Sequence, residues 1–385
     1  MFNIIILGIT SLLTDISSEM IYPLLPIYLV NRLGVSPAIL GLIEGIAEST
    51  ASLSKVFFGY FSDRLKQRKP FAILGYGFSC LGKFFLYISG TWTMVFVARF
   101  IDRLGKGIRD APRDALIVES SHENRRGFSF GLHRTMDTLG AAIGVILAIY
   151  LVHRYKGEFN KVFLLSLIPA VLGILILFKV KEKARQGITL SATNRFSPKE
   201  MLKSFKALDK KLKMFLLIMF IFNLGNSSNQ FLLLRAKNLG FSLISVITMY
   251  LVYNLAYALT SYPAGRASDI IGRKKILVLG HFLSGLVYLG FAKISGANNF
   301  VWFLFGLYGF YMGFTEGVEK AYVSDIASID SRATLIGLHA TLVGVALLPA
   351  SLLAGILWKA FGAAMPFWFG GVMGILASIG LAVFI

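Results

Sequence analysis

Cysteine is almost missing: Cys80 is the only one in 385 residues, which excludes an intramolecular disulfide and any cysteine-built metal site. Charge is scarce as well, at 15% of residues, and lopsided, with 20 Asp and Glu against 39 Lys and Arg. The chain has no nucleophile and base constellation, no phosphate-cradling glycine loop and no metal-ligand spacing, so neither enzymatic activity nor a cofactor is expected. What is left is apolar. Hydrophobic residues make up 56% of the chain and the mean hydropathy is +0.69, values incompatible with one soluble core.

Twelve apolar stretches are each long enough to cross about 30 Å of hydrocarbon. They fall near 3–30, 38–58, 70–89, 92–118, 127–152, 162–179, 213–234, 242–264, 276–294, 299–323, 333–357 and 363–384. The sequence therefore predicts an all-α membrane protein with twelve transmembrane helices.

The chain also repeats itself at an offset of about 206 residues. Gly59-Tyr-Phe-Ser-Asp63 recurs as Gly265-Arg-Ala-Ser-Asp269, Gly107 as Gly313, Asp110 as Glu316, Glu119 as Asp325, and Gly131-Leu-His133 as Gly337-Leu-His339. A parallel repeat in an apolar chain implies two copies of one helical bundle. Residues 1–179 form the first six-helix bundle in this reading, 180–212 a cytoplasmic basic linker, and 213–385 the second bundle.

Read loop by loop, the net charge of +19 reports topology. One set of alternate loops carries Arg64, Lys66, Arg68, Lys69, Arg125, Arg126, a dense run from Lys179 to Lys213, then Arg273, Lys274, Lys275 and Arg332. The other set is poor in Lys and Arg, so both termini are expected on the cytoplasmic side of the inner membrane. Anionic lipid, not nucleic acid, is the partner this charge implies. Within the linker, Ser197-Pro198-Lys199-Glu200 reads as a capping box opening an amphipathic helix that lies on the inner leaflet.

The charged residues inside the apolar stretches are the candidate functional ones. Span four carries Arg99, Asp102, Arg103, Lys106, Arg109, Asp110, Arg113 and Asp114 at steps of three and four, which stacks them on one side of a helix. Facing lipid, eight such groups would cost on the order of 20 kcal/mol, so this side must face protein or water. Span one offers Asp15 and Glu19, span two Glu44, Glu48 and Lys55, and span five His133, Arg134 and Asp137. Helix rise places Asp15, Glu48, Arg103, Lys106 and Asp137 near the midplane as the expected solute or proton site. At the repeat offset Glu48 becomes Asn254, Arg103 becomes Gly309 and Lys106 becomes Met312, so charge work belongs to the first half. The second half supplies Asn223, Asn226 and Asn229, Tyr250, Tyr253 and Tyr257, and one charged cluster of Glu316, Glu319 and Lys320. Its aromatic residues read first as packing. Gly140 and Gly144 in span five have the spacing for close helix approach.

The loops Asp63-Arg64-Leu-Lys66-Gln-Arg68-Lys69 and Asp269-Ile-Ile-Gly272-Arg273-Lys274-Lys275 resemble the signature loop of the major facilitator superfamily (MFS). Lys66 departs from the usual glycine, which Gly272 keeps. The resemblance covers essentially the whole chain and implies the MFS fold, two pseudo-symmetric six-helix bundles. The stretches Thr14–Pro23 and Asp102–Asp114 look like a prokaryotic branch without an assigned substrate. It further implies a monomeric secondary transporter of a small polar or charged solute, driven by protons. In that frame Gly59, Asp63, Arg64, Arg68 and Glu119, with Gly265, Asp269, Gly272, Arg273 and Asp325, form the gate, while Asp15, Glu19, Glu44, Glu48, Arg99, Arg103, Lys106, Asp110, Asp137 and Asn226 line the pathway. A lipophilic-compound exporter, and a non-transporting membrane receptor or lipid-handling protein, are the competing readings.

Overall fold

The computed structural model describes residues 2–65, 67–121, 126–182, 210–326 and 332–385. The expected inner-leaflet helix and Lys66 and Arg125 of the basic loops lie outside these residues, and the side chains of Asp63, Arg126 and Arg332 are not described. Among the described residues the secondary structure is helical, without strands. The first half contains α1 (Phe2–Ile21), a short α2 (Leu25–Ile27) with a π-helical continuation (Tyr28–Arg32), α3 (Pro37–Leu65), α4 (Lys69–Tyr87), α5 (Trp92–Ser120), α6 (Arg126–Arg154) and α7 (Phe159–Leu177). The second half contains α8 (Lys210–Gly225), α9 (Gln230–Asn238), α10 (Leu243–Ile271), α11 (Arg273–Lys293), α12 (Phe300–Ile326), α13 (Arg332–Phe361) and α14 (Met365–Phe384). Counting α1 with α2, and α8 with α9, as single broken passes gives twelve.

Each half opens on a broken helix. Pro23 and Pro26 interrupt the first pass, since proline removes a helix donor and crowds the preceding turn, and Asn226-Ser-Ser-Asn229 interrupts the seventh. Among the described residues, eight passes are long and apolar enough to cross a membrane. The other four hold charge in their interiors: Glu44 and Glu48 in α3, Lys83 in α4, the ladder of α5, and Glu316, Glu319 and Lys320 in α12. Several helices run past their apolar stretch at the end bearing the basic loops; α3 and α10 each continue to the signature loop, at Leu65 and Ile271.

Packing repeats with the sequence. In the first bundle α1 packs on α6 and α7, α3 and α4 on α5, and α4 on α7; in the second α8 packs on α13 and α14, α10 and α11 on α12, and α11 on α14. The halves meet through α3 against α13, α6 against α10, and α2 against α9. Small residues set these distances. A Cβ at Gly140 would lie 2.5 Å from the Leu12 carbonyl oxygen and one at Gly144 2.6 Å from that of Ile16, so α6 can touch the α1 backbone only as glycine. Along α3 and α13, Gly41 abuts Ser351, Gly45 abuts Leu348, Gly344 abuts Ser52 and Gly355 abuts Pro37, which closes the two bundles together along this seam.

Candidate functional site: a charged vestibule

Two acids one turn apart on α3 meet two arginines one turn apart on α5. The Arg99 Nε and Nη2 donate to the Glu44 carboxylate at 2.9 and 2.8 Å, a bidentate pair whose partners are both buried. One turn along, Arg103 reaches Glu48 at 3.3 Å and Asp102 at 3.0 Å, and Asp102 returns to Arg99 at 3.4 Å. Lys83 of α4 closes the far side, donating to Ser17 Oγ at 2.7 Å and Ser18 Oγ at 3.0 Å of α1. Between them lies a cavity of about 20 Å³ bordered by Ser18, Lys83, Arg99, Asp102 and Arg103, room for about one water. Sequence reasoning missed Lys83, although a lone cation inside an apolar span is itself the signal.

The charged ladder of α5 does not share one surface. Arg109 turns to α4, donating to Ser79 Oγ at 2.6 Å with its guanidinium 4.5 Å from the Tyr76 ring centre. Arg113 pairs with Asp110 at 3.4 Å and Asp114 at 2.9 Å. Lys106 is half-buried and has no ion-pair partner within 4 Å among the described residues. Asp15 and Glu19 on α1 are likewise half-buried and without an ion-pair partner among the described residues, and one Glu19 oxygen has no hydrogen bond at all. Asp15 acts electrostatically on Asp137, Glu19, Arg109 and Lys106, and Asp137 itself approaches His133 at 3.4 Å. Of the five expected midplane residues, Glu48 and Arg103 therefore form a direct pair, while Asp15, Asp137 and Lys106 form a looser group.

Water access rises steadily toward the end bearing the basic loops. Down α3, side-chain exposure climbs from 0% at Glu44 to 26% at Glu48 and 47% at Lys55; down α5 it climbs from 10% at Asp102 to 16% at Asp110 and 37% at Asp114. In the second bundle Glu316 and Lys320 stand at 38% and 55%. Charged side chains at this depth can be exposed only to water, so a vestibule opens on that face. The opposite end is sealed by the glycine seam, by α2 on α9, and by Tyr22 against Tyr250, whose ring centres are 5.5 Å apart.

The second bundle fills its interior with phenols and amides. Asn226, in the break before α9, donates to the Tyr311 hydroxyl at 3.3 Å and accepts from Tyr288 at 3.2 Å; Asn229 accepts from Tyr308 at 2.7 Å and donates to Tyr253 at 3.4 Å. Tyr250, Tyr253, Tyr308 and Tyr311 form a chain of ring contacts. They pack, as expected, but the hydroxyls of Tyr253, Tyr308 and Tyr311 are also spent on the broken segment. Arg134 donates to the Tyr257 hydroxyl at 2.8 Å, and that hydroxyl donates to Glu316, bridging the halves.

Both signature loops have the same local chemistry. Arg68 donates to Ser62 Oγ at 3.0 Å and approaches Glu119 at 3.4 Å; Arg273 donates to Ser268 Oγ and approaches Asp325 at 3.1 Å and Asp269. Gly272 has φ of +99°, a backbone that only glycine adopts without strain, and it is the single residue between α10 and α11. Gly59 packs on Ala111, Gly265 faces open space, and Arg64 is exposed.

A family model described as Major Facilitator Superfamily matches residues 7–235 and again 214–385. The chain belongs to the Major Facilitator Superfamily. An uncharacterised MFS-type transporter of Methanocaldococcus jannaschii is 39% identical over 383 residues, 98% of this chain and 93% of that one. Among solved structures, a variant of the nucleoside transporter NupG superposes with a TM-score of 0.85 at 13% identity over 99% of both chains. A D-xylose–proton symporter gives 0.76 at 18% identity, covering 100% of this chain and 98% of that one. At these identities the structural likeness shows the MFS fold alone. This MFS chain is thus a multi-pass membrane transporter by family, and such proteins are not enzymes.

Proposed function

We propose that this chain is a secondary active transporter that moves a small polar or charged solute through the vestibule by alternating access, coupled to protons. One observation carries the reading: charged side chains grow more exposed toward the end bearing the basic loops, and three of the half-buried ones, Lys106 on α5 and Asp15 and Glu19 on α1, have no ion-pair partner among the described residues. A structural ion network would leave none of them unpaired, because a buried charge without a countercharge is costly. Lys106 is the residue available to an anionic group of the solute. Asp15 and Glu19 are available to a proton, since an uncompensated buried carboxyl can be held neutral. The buried bidentate pair of Glu44 and Arg99 anchors the wall.

The basic loops face the cytoplasm in this proposal, which puts both termini inside the inner membrane and makes the described state open inward, with residues 1–179 and 213–385 rocking about the seam and 180–212 as the linker. Arg68–Glu119 and Arg273–Asp325 then act as the inner gate. Fixed charge along the cavity argues against a lipophilic-compound exporter, whose ligand would have to desolvate it. A stability screen of the purified protein against a metabolite library, followed by flux of each stabilising solute into reconstituted vesicles, tests the proposal. Flux that Lys106→Ala abolishes is the expected result; stabilising ligands that never cross the membrane would instead favour a receptor.

A further inference from the structure

Three side chains from three helices of the second bundle converge on one point away from the vestibule wall. His281 of α11 places Nε2 at 3.6 Å from one Glu319 oxygen, and His339 of α13 places Nε2 at 3.4 Å from the other, with Glu319 itself on α12. Both imidazoles are buried and both Nε2 atoms lack a hydrogen-bond partner, while 13% of the Glu319 side chain remains accessible. The His281 Nδ1 lies 2.8 Å from the Leu277 carbonyl oxygen. A carbonyl only accepts, so Nδ1 carries the hydrogen and a neutral His281 turns the Nε2 lone pair toward the carboxylate. Two acceptors then face each other across a buried gap. A proton on either resolves the clash.

We infer that His281, Glu319 and His339 form a proton-binding site of the second bundle, separate from Asp15 and Glu19 and filled through Glu319. Its surroundings isolate it. From α8, Phe222 stands edge-on to the His281 ring at 4.5 Å and Phe215 stacks on His339 at 5.9 Å, with Lys210, Lys211 and Lys213 in the first turn of the same helix. From α12, Tyr311 faces Glu319, Tyr322 faces Phe215, and Glu316 and Lys320 are engaged with each other. The neighbouring α10 offers Tyr250, Tyr253 and Tyr257, the last committed to Glu316, with Tyr262, Arg266 and Asp269 toward its loop end; α14 has no titratable side chain; α11 otherwise has Tyr288 and the terminal Arg273, Lys274, Lys275 and Lys293; α13 otherwise has Arg332 at its start and Lys359 at its far end. Against α13, α3 turns Ser49 and Ser52 and keeps Glu44 and Glu48 for α5.

Pseudo-symmetry does not explain the cluster. At the repeat offset His281 corresponds to Gly75 and Glu319 to Arg113, so only His339 has a histidine mate, His133. Gly75 sits where a Cβ would come within 2.6 Å of the Gly105 carbonyl oxygen, so the first bundle closes this place by backbone contact. The second bundle has opened it and filled it with titratable groups. Glu319 is six residues from Asp325 and His281 eight from Arg273, roughly 9 and 12 Å along their helices. Proton occupancy therefore ties together α11, α12 and α13 directly behind the Arg273–Asp325 contact.

Nitrogen NMR of the full chain labelled with ¹⁵N-histidine in lipid nanodiscs, titrated over pH, tests this directly. The site predicts that His281 holds its hydrogen on Nδ1 when neutral, and that His281 and His339 respond in one common protonation step which Glu319→Gln removes, leaving His153 unchanged. Should Glu319→Gln fold poorly, His339→Gln serves instead and should alter the His281 step. A neutral His281 with its hydrogen on Nε2, or two imidazoles that titrate independently and ignore both substitutions, would overturn the inference.

Discussion

The two bundles share their helix pairings and differ in what fills the positions between them. In the first, the interior is ionic: Glu44, Glu48, Asp102, Arg99 and Arg103 pair with one another across α3 and α5, and Lys83 of α4 stands in the field of Asp102 while donating to Ser17 and Ser18. In the second, phenols and amides take those places, and Gly309 and Met312 stand where Arg103 and Lys106 stand in the first. A duplicated fold can thus keep its backbone geometry while dividing the labour, with ion handling on one side and hydrogen bonding to neutral groups on the other. The difference also shows which charges the architecture needs. None of these six has a charged mate at the repeat offset, so the shared backbone geometry does not require them.

Breaking the ionic interior should produce the largest effect. Glu44→Ala leaves Arg99 buried without its bidentate partner, and loss of one member of a buried pair costs about 3–5 kcal/mol. Chemical denaturation in detergent should show that loss, and Glu44→Leu combined with Arg99→Leu should recover most of it. A comparably damaged double variant would mean that the network contributes more than the sum of its pairs.

The seam between the bundles is the next target. A Cβ at Gly41 would fall 2.0 Å from the Ser351 carbonyl oxygen, so Gly41→Val has to push α3 and α13 apart. Labelling of a cysteine introduced at Ser228, beside Ser351, from the outside should rise severalfold on this substitution in a protein lacking Cys80. Unchanged labelling would place the outer seal elsewhere. Smaller again in stability, Lys106→Ala should shift the melting temperature by no more than a few degrees, because it breaks no ion pair, yet abolish stabilisation by the solute. Arg103→Ala should do both, since Arg103 also holds Asp102 and Glu48. The smallest change in stability is expected for Asp269→Asn, whose side chain is 60% exposed: about 0–1 kcal/mol, as for surface pairs. Its transport rate should nonetheless fall, and a normal rate at normal expression would reduce the signature loop to a topology signal.

Much of this was legible from residues alone. The repeat offset, the apolar stretches and the prolines at 23 and 26 fix twelve passes, two bundles and a broken first helix, because hydrocarbon thickness and backbone hydrogen bonding leave few alternatives. Gly140 and Gly144 could be read as a contact stripe from spacing. Partner choice could not. Steps of three and four chain Arg109 to Arg103, but six residues of an α-helix turn it about 120° away, and it meets Ser79 and Tyr76 of α4 there. Lys83 and His281 are single polar residues in apolar spans, with no periodic pattern, and their partners come from helices distant in sequence. His281 and Glu319 also lack repeat mates of like chemistry, so the comparison that exposed the first bundle's charges was silent about them.

The central claim is that the unpaired acids of the first bundle carry the coupling proton while the solute occupies the vestibule. It is tested most directly by accumulation of the identified solute in vesicles under an imposed pH gradient, comparing the wild type with Asp15→Asn and Glu19→Gln and using exchange between equally loaded compartments as the control. The account predicts that at least one of the two substitutions abolishes gradient-driven accumulation and preserves exchange, because exchange needs no net proton movement. Accumulation at the wild-type level in both variants would contradict it.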